Sequence, residues 1–141
     1  MPREFVYARR VQFAETDMAG VMHFANYYRI MEEAEHAFWR SLGLSVHTVD
    51  HAAEIGWPCV ATSCQYFAPA RFEDELQVRL RLVDVGQKTV EFEFEFRRED
   101  TRIAFGKAKA VCCAMVDRAF QSVPIPEDVR ARLLGDSTDS Q

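Results

Sequence analysis

The sequence predicts an α+β fold, in which a curved, antiparallel sheet of five strands packs around one long helix. Three patterns in the 141-residue chain predict it. Apolar residues recur at helical spacing early in the chain, two runs alternate between apolar and charged residues in the middle, and small residues line one strand near the end. No linker divides the chain, so we expect one domain over residues 1–134, followed by a polar tail over 135–141.

The first strand and the long helix are predicted before residue 44. Apolar residues alternate over residues 5–13, which indicates a strand, and residues 14–21 have the composition of a loop. Over residues 24–42, apolar residues recur every three or four positions, which indicates a helix with one buried face. Gly43 is then suited to end this helix.

A β-hairpin is predicted in the middle of the chain. Apolar residues occupy the even positions of 76–82 and 90–96, and charged or polar residues occupy the odd positions between them. Even positions must pair with even positions to share a face, so the loop around Gly86 should contain three or five residues. Arg79 and Arg81 should then lie opposite glutamates on the exposed face.

Two further strands and a short helix complete the predicted fold. One strand spans residues 59–67, and the other spans residues 103–116. The second has small residues on one face, which would let the long helix approach closely. Either strand could leave an edge for a partner subunit to cover. Two prolines before residue 127 should open the short C-terminal helix over residues 127–134.

Composition argues against several classes of function. The net charge of −5 argues against nucleic-acid binding, which normally needs a basic excess. No apolar run approaches the ~18 residues that a membrane helix needs, and the N-terminus has no apolar core of a secretory signal. We therefore expect a cytoplasmic protein without membrane insertion. The four cysteines form no CxxC pair and should be reduced.

Residues 13–27, which read FAETDMAGVMHFANY, contain the candidate chemistry. Asp17 lies in the loop that follows the first predicted strand, Gly20 follows three residues later, and Asn26 and Tyr27 enter the helix. This pattern resembles the catalytic segment of the 4-hydroxybenzoyl-CoA thioesterase family and its acyl-CoA thioesterase relatives. Residues 66–76 and 125–126 also resemble landmarks of that family, so the resemblance covers nearly the whole chain.

The resemblance implies a fold, a reaction and a quaternary structure. The fold is the hotdog fold, and the reaction is hydrolysis of an acyl-CoA thioester to a carboxylic acid and CoA. The active sites lie at the subunit interface of a homodimer or homotetramer, with no metal and no organic cofactor. Asp17 is implied as the nucleophile or as the general base that directs water. The backbone N–H of Phe24 is implied as the donor to the thioester oxygen.

Elementary chemistry supports these two roles independently. Thioester hydrolysis builds negative charge on the carbonyl oxygen, and a helix N-terminus offers unpaired N–H groups and the positive end of the helix dipole. One such donor can stabilise the transition state by roughly 3 kcal/mol. A carboxylate near those donors could attack the thioester or deprotonate water, and the sequence leaves both roles open.

The remaining candidate residues have less specific patterns. His23 replaces an aromatic residue common in the family, and is either a pocket side chain, an acid-base group or a structural residue. By resemblance, Glu32 could select a polar acyl group, whereas its spacing from His36 also occurs in metal sites, for which no third ligand is evident. The candidate substrate-binding residues are Gly20, Val21, Asn26, Tyr27 and Glu32 and, for the CoA phosphates, Arg97, Arg98, Arg102, Lys107 and Lys109.

Two alternative functions are compatible with the same residues. A hotdog dehydratase that acts on hydroxyacyl thioesters would need a histidine and an acid on opposite sides of the substrate, which His23 with Glu32 or Glu33 could supply. A non-catalytic module that binds acyl-CoA or acyl-carrier protein would keep the pocket without turnover. The intact motif around Asp17 argues against the second alternative.

Overall fold

The protein is described by a computed structural model that covers residues 3–49 and 54–135. Predicted tail residues 136–141 lie outside the described residues, and Gly135 caps the second helix. Within the described ranges the elements are β1 (Arg3–Arg10), α1 (Ala25–Ser41), β2 (His47–Val49), β3 (Glu54–Gly56), β4 (Cys59–Tyr66), β5 (Glu75–Val85), β6 (Thr89–Arg98), β7 (Thr101–Val111), β8 (Cys113–Val116), β9 (Ala119–Ser122) and α2 (Glu127–Leu134).

Five strands form the main sheet, and every neighbouring pair in it is antiparallel. Their order is β1-β5-β6-β7-β4, and the buried face of the sheet shares one apolar core with α1. The predicted fold class is therefore confirmed, with its one long helix and its short C-terminal helix. Gly43 follows α1 with a φ of +75°, as the prediction of a helix end there requires.

The pairing of β5 with β6 confirms the predicted register of the hairpin. Even positions pair with even positions, as Leu80 does with Phe94, and both side chains are buried. Three residues lie between the two strands, although a bulge after Leu82 shifts the register by one before the turn. The two predicted arginines lie opposite glutamates: Arg79 pairs with Glu95, and Arg81 pairs with Glu93.

Small residues on β7 allow the close approach of α1 that the sequence predicts. A Cβ added at Gly106 would lie 2.6 Å from Met31 Sδ, so a larger residue would displace the helix side chain. Aromatic rings fill the rest of this interface, where Phe38 on α1 lies 5.8 Å from Phe92 on β6, between ring centroids.

The last strand predicted from the sequence was wrong in one respect, because it is two strands in two different sheets. The chain leaves the main sheet at Cys112, whose N–H donates to Lys88 O at 2.7 Å and whose carbonyl accepts from Val123 N–H at 2.9 Å. β8 then joins a second antiparallel sheet in the order β2-β3-β8-β9, which was not predicted. Its strands are three or four residues long, so the alternation pattern is too short to identify them.

Two other predicted boundaries also differ from the structure. β1 ends at Arg10, and a 3₁₀ turn over Phe13–Glu15 replaces the end of the predicted strand. Of the two strands expected to leave an edge, β4 is at the edge of the main sheet, whereas β7 pairs on both sides. In the described ranges, no helix has the length and apolar character required to cross a membrane.

Candidate active site

A tight turn after the 3₁₀ segment presents Asp17. Gly20 N–H donates to Asp17 O at 2.9 Å, and Asp17 N–H donates to Val21 O at 2.9 Å. Gly20 has a φ of +80°, and a Cβ there would meet no atom within 4 Å. Backbone conformation rather than space therefore explains the glycine at this position.

The carboxyl group of Asp17 is held by one of its two oxygens. Oδ1 accepts hydrogen bonds from Ala19 N–H at 2.9 Å and from Val21 N–H at 3.3 Å. Oδ2 has no hydrogen-bond partner among residues 3–49 and 54–135. The turn thus orients the group and leaves one oxygen available to a substrate or to water.

The start of α1 supplies a free backbone donor next to this carboxyl group. Phe24 is the N-cap residue of α1, and its N–H makes no hydrogen bond within the part of the chain that the structure describes. The next N–H, that of Ala25, donates to His23 Nδ1 at 3.2 Å. Phe24 N–H is therefore the donor at this helix end that remains open to an oxyanion.

Asp17 and Phe24 line the same cavity, which has a volume of about 410 Å³. Hydrogen bonding closes one wall, because Tyr66 Oη donates to Phe24 O at 3.1 Å and Met22 N–H donates to Ala70 O at 2.7 Å. Burial raises the pKa of Tyr27 to about 12, so its hydroxyl stays neutral. The other lining residues are Val21, Met22, Tyr27, Tyr66, Phe67, Ala68 and Pro69. Together they give the site mainly apolar walls.

Two predicted site residues support the start of the helix and do not line this cavity. The exposed His23 ring stacks on the Phe24 ring, with 4.4 Å between centroids, and its Nδ1 caps α1. Asn26 Nδ2 donates to Glu15 O at 2.9 Å. The structure therefore gives both residues contacts that fix the helix start beside Asp17.

Glu32 lines a second cavity of about 310 Å³, farther along α1 and beside β4. Glu35 lines this cavity too, and the sequence analysis missed it. Burial raises the pKa of Glu35 to about 7, although Trp39 Nε1–H donates to its carboxyl at 3.1 Å and opposes that rise. The spacing of Glu35 and Trp39 by four residues was a signal that could have indicated this contact.

The acids considered for a dehydratase do not lie with His23. Glu32 is in the second cavity, and Glu33 is bound by Tyr7 and Arg9 on another side of the helix. No described contact joins either acid to the imidazole ring of His23. In the described ranges, no three metal-ligating side chains form a cluster that could hold an ion.

The arginines predicted to hold CoA phosphates already have protein partners. Arg97 Nη1 donates to Glu95 at 2.8 Å, and Arg98 Nη1 donates to Asp74 at 2.8 Å. Arg102 lies over the ring of Phe67, 4.6 Å from its centroid. Arg98 Nη1 also donates to Pro69 O at 3.0 Å. Since Phe67 and Pro69 both line the Asp17 cavity, Arg102 and Arg98 each have a direct contact with that lining.

The two predicted lysines lie on the exposed face of the main sheet. Lys107 pairs with Glu93 and Lys109 pairs with Glu91 in the register of β6 and β7. They line a separate cavity of about 300 Å³ and are not among the residues around Asp17. The main chain thus carries them to the face opposite the core that α1 covers.

Comparison with known proteins agrees with this architecture. A model of the thioesterase-like superfamily matches residues 11–133. The structure of BH1999 gentisyl-coenzyme A thioesterase is 32% identical, with a TM-score of 0.78, over 92% of this chain and 99% of that chain. Slr0204, a 1,4-dihydroxy-2-naphthoyl-CoA thioesterase from Synechocystis, is 26% identical, with a TM-score of 0.83, over 94% and 96% of the two chains.

A sequence relative supports the same assignment. Acyl-CoA thioesterase YbgC of Haemophilus influenzae is 24% identical over 127 residues, which is 90% of this chain and 92% of the relative. The named relatives are hydrolases of one reaction class, as the sequence resemblance implied. Since the family model spans all of α1 and all the strands of the main sheet except β1, this chain belongs to the thioesterase-like superfamily and has its hotdog fold.

Proposed function

We propose that the protein hydrolyses an acyl-CoA thioester, with Asp17 as the nucleophile or general base and Phe24 N–H as the oxyanion donor. One observation supports this assignment above the others. A carboxyl group with one free oxygen and a backbone N–H without an acceptor line the same cavity. These are the two groups that acyl transfer needs on opposite sides of a carbonyl.

The proposed mechanism begins with the thioester oxygen next to Phe24 N–H. Asp17 then attacks the carbonyl carbon or removes a proton from the water that attacks it. Negative charge moves onto the carbonyl oxygen, where the helix N-terminus stabilises it. Collapse of this intermediate releases the thiolate of CoA. When water attacks, the second product is the carboxylic acid; when Asp17 attacks, it is an anhydride of the acyl group with Asp17, which water then hydrolyses to the acid and the free carboxylate. The turn around Gly20 contributes by holding Oδ1, which leaves Oδ2 for the reaction.

For the acyl group, we propose a hydroxylated aromatic ring as the first class to test. Two relatives are named for the gentisyl and dihydroxynaphthoyl thioesters of CoA. The cavity around Asp17 has aromatic walls that include Tyr27, Tyr66 and Phe67. Such walls favour a flat ring through stacked and edge-to-face contacts.

We also propose a homodimer whose partner covers β4 and closes the active site. β4 is an edge strand, most of its residues are exposed, and both cavities along α1 include residues from it. An unpaired edge of this length invites pairing with another strand. Light scattering on the purified protein tests this, because the measured mass should be two or four times the 16.2 kDa of one chain. We place the reaction in the cytoplasm, which cell fractionation can test.

The decisive experiment is a hydrolysis assay with short, long and hydroxylated aromatic acyl-CoA substrates, on the wild type and on Asp17→Asn. We expect one substrate class to be preferred and Asp17→Asn to lose at least about 100-fold in kcat, as expected for a direct catalytic group. Circular dichroism and thermal unfolding check that the variant is folded. If the folded variant keeps more than about a tenth of the activity, the assigned role of Asp17 is wrong.

A further inference from the structure

Glu15 accepts hydrogen bonds from β1 and the turn before Asp17 through its side chain, and from the start of α1 through its backbone carbonyl. Its Oε1 accepts from Arg9 Nη1 at 2.6 Å and from Gln12 N–H at 2.8 Å. Its backbone carbonyl accepts from His23 N–H at 2.8 Å and from Asn26 Nδ2 at 2.9 Å. One residue therefore joins β1, the turn before Asp17 and the start of α1.

The position of Glu15 makes these contacts relevant to the chemistry. It precedes Asp17 by two residues, and the His23 N–H that its carbonyl binds precedes Phe24 by one residue. Asp17, which has the free carboxyl oxygen, is therefore two residues from Glu15. Phe24, which has the free N–H, is one residue from the His23 N–H that Glu15 binds. A shift of Glu15 would change the separation of these two groups.

Arg9 holds the Glu15 carboxylate and also reaches the helix directly. Its Nε and Nη2 donate to Glu33 on α1 at 3.1 and 3.2 Å. The side chains of Arg9 and Glu15 are only 11% and 15% exposed, so their ion pair is largely shielded from solvent. Burial tends to raise the pKa of Glu15, but the hydrogen bonds from Arg9 and Gln12 N–H leave it below its ordinary value.

We infer that Arg9 and Glu15 are positioning residues that set the distance between the Asp17 carboxyl group and Phe24 N–H. This inference rests on the proposed function, because it gives that distance a catalytic role. Neither residue is among those that line the Asp17 cavity. Their effect is geometric, and a displacement of about 1 Å between reacting groups can lower a rate by about 100-fold.

The test compares Arg9→Lys and Glu15→Gln with variants of an exposed ion pair that joins Arg10 on β1 to Glu75 on β5. Arg10 and Glu75 form an ion pair at 2.9 Å, but these side chains are 60% and 75% exposed and bind no residue of the site. For Arg9→Lys and Glu15→Gln we expect kcat to fall by about 10- to 100-fold with KM changed by less than about 3-fold. Arg10→Lys and Glu75→Gln should leave both constants unchanged.

A double variant separates positioning from a general loss of stability. If Arg9 acts through Glu15, Arg9→Lys with Glu15→Gln should lose no more activity than the worse single variant. Fully additive losses in kcat would contradict the inference. So would a fall in melting temperature with an unchanged kcat for the folded fraction, since that result shows a purely structural ion pair.

Hydrogen exchange gives a readout that does not depend on turnover. In Glu15→Gln the amides of residues 16–26 should exchange faster than in the wild type, while those of β5 and β6 should not change. Equal exchange in the two proteins would overturn the inference even if Asp17→Asn confirms the catalytic carboxyl group. Faster exchange of this segment in a protein that hydrolyses no thioester would instead keep the structural link and reject the proposed function.

Discussion

Both cavities along α1 contain carboxyl groups, and Asp17 in the first has surroundings opposite to those of Glu35 in the second. At the start of the helix, Asp17 Oδ1 accepts two backbone hydrogen bonds and the group lies beside the free Phe24 N–H. Farther along the helix, the half-buried Glu35 accepts a hydrogen bond from Trp39, and its desolvation raises its pKa to about 7. The same functional group is thus held by backbone N–H groups in one cavity and partly desolvated against an indole ring in the other.

This difference shows why position on the helix matters more than the presence of a carboxyl group. The N–H groups inside a helix are bonded to carbonyls four residues earlier, so none beside Glu35 can stabilise an oxyanion. In the part of the helix start that the structure describes, the Phe24 N–H is free, and Phe24 lines the same cavity as Asp17. The second cavity is therefore not part of the proposed hydrolytic site, and it lies farther along the same helix.

The largest effect is expected when the carboxyl groups of Asp17 and Glu35 are each replaced by the corresponding amide. Asp17→Asn should lower kcat by at least about 100-fold, whereas Glu35→Gln should change kcat by less than about 5-fold. Steady-state assays on the preferred acyl-CoA measure both. Equal losses in the two variants would mean that the two cavities act as one site, which contradicts the comparison.

A change in packing should affect the second cavity alone. Gly106→Ala places a methyl group 2.6 Å from Met31 Sδ, and Met31 lines the Glu35 cavity. We expect the free energy of unfolding to fall by about 1–3 kcal/mol, as for other overpacked cores, with kcat unchanged. Urea unfolding measures the first quantity. Gly20→Ala is the complementary variant, because its strain is in the backbone at a φ of +80° and should lower kcat as well.

The raised pKa of Glu35 should make the stability of the fold depend on pH. Its proton is lost near pH 4.5 in the unfolded chain and near pH 7 in the folded protein. Between these values the unfolded state binds fewer protons, so stability falls as the pH rises through that window. Glu35→Gln should therefore raise the free energy of unfolding by about 3 kcal/mol above pH 7 and leave it unchanged below pH 4.

Thermal unfolding at several pH values measures this effect. Glu32→Gln serves as the comparison, because the charge of Glu32 contributes to the raised pKa of Glu35. Glu32→Gln should narrow the pH range over which the stability falls, but it should not abolish that fall. A gain in stability for Glu35→Gln that is the same at every pH would show that ionisation is not its cause.

The smallest effect is expected on the exposed face of the sheet. Lys107→Gln with Lys109→Gln should change KM for the acyl-CoA by less than about 2-fold, since both lysines lie opposite glutamates and away from Asp17. Arg102→Gln should raise KM more, because Arg102 lies over Phe67 of the Asp17 cavity. The opposite ranking would place the CoA phosphates on the outer face of β6 and β7.

Much of the fold could be predicted from local patterns. The alternation over β5 and β6 specifies their pairing, because a slip of one residue would turn every phenylalanine to solvent. The helical spacing over residues 24–42 likewise specifies the buried face of α1. Around Asp17, the glycine and the helix start are close in sequence, so the candidate site was predictable as a segment.

Tertiary structure decided what depends on residues far apart in the chain. The second sheet joins β3 with β8, whose short strands have no periodicity to detect. The break at Cys112 depends on bonds to Lys88 and Val123, and the partners of Arg97 and Arg98 depend on where β6 ends. Burial of Glu35 also requires the cavity beside β4.

The sequence by itself therefore determined the core pattern, the long helix and the motif that carries Asp17, because side-chain periodicity and turn chemistry are local properties. Only the tertiary structure decided which cations are already paired, which strand forms the edge and which glutamate packs against Trp39. Those outcomes depend on distances between elements, and no spacing along the chain encodes a distance across the sheet.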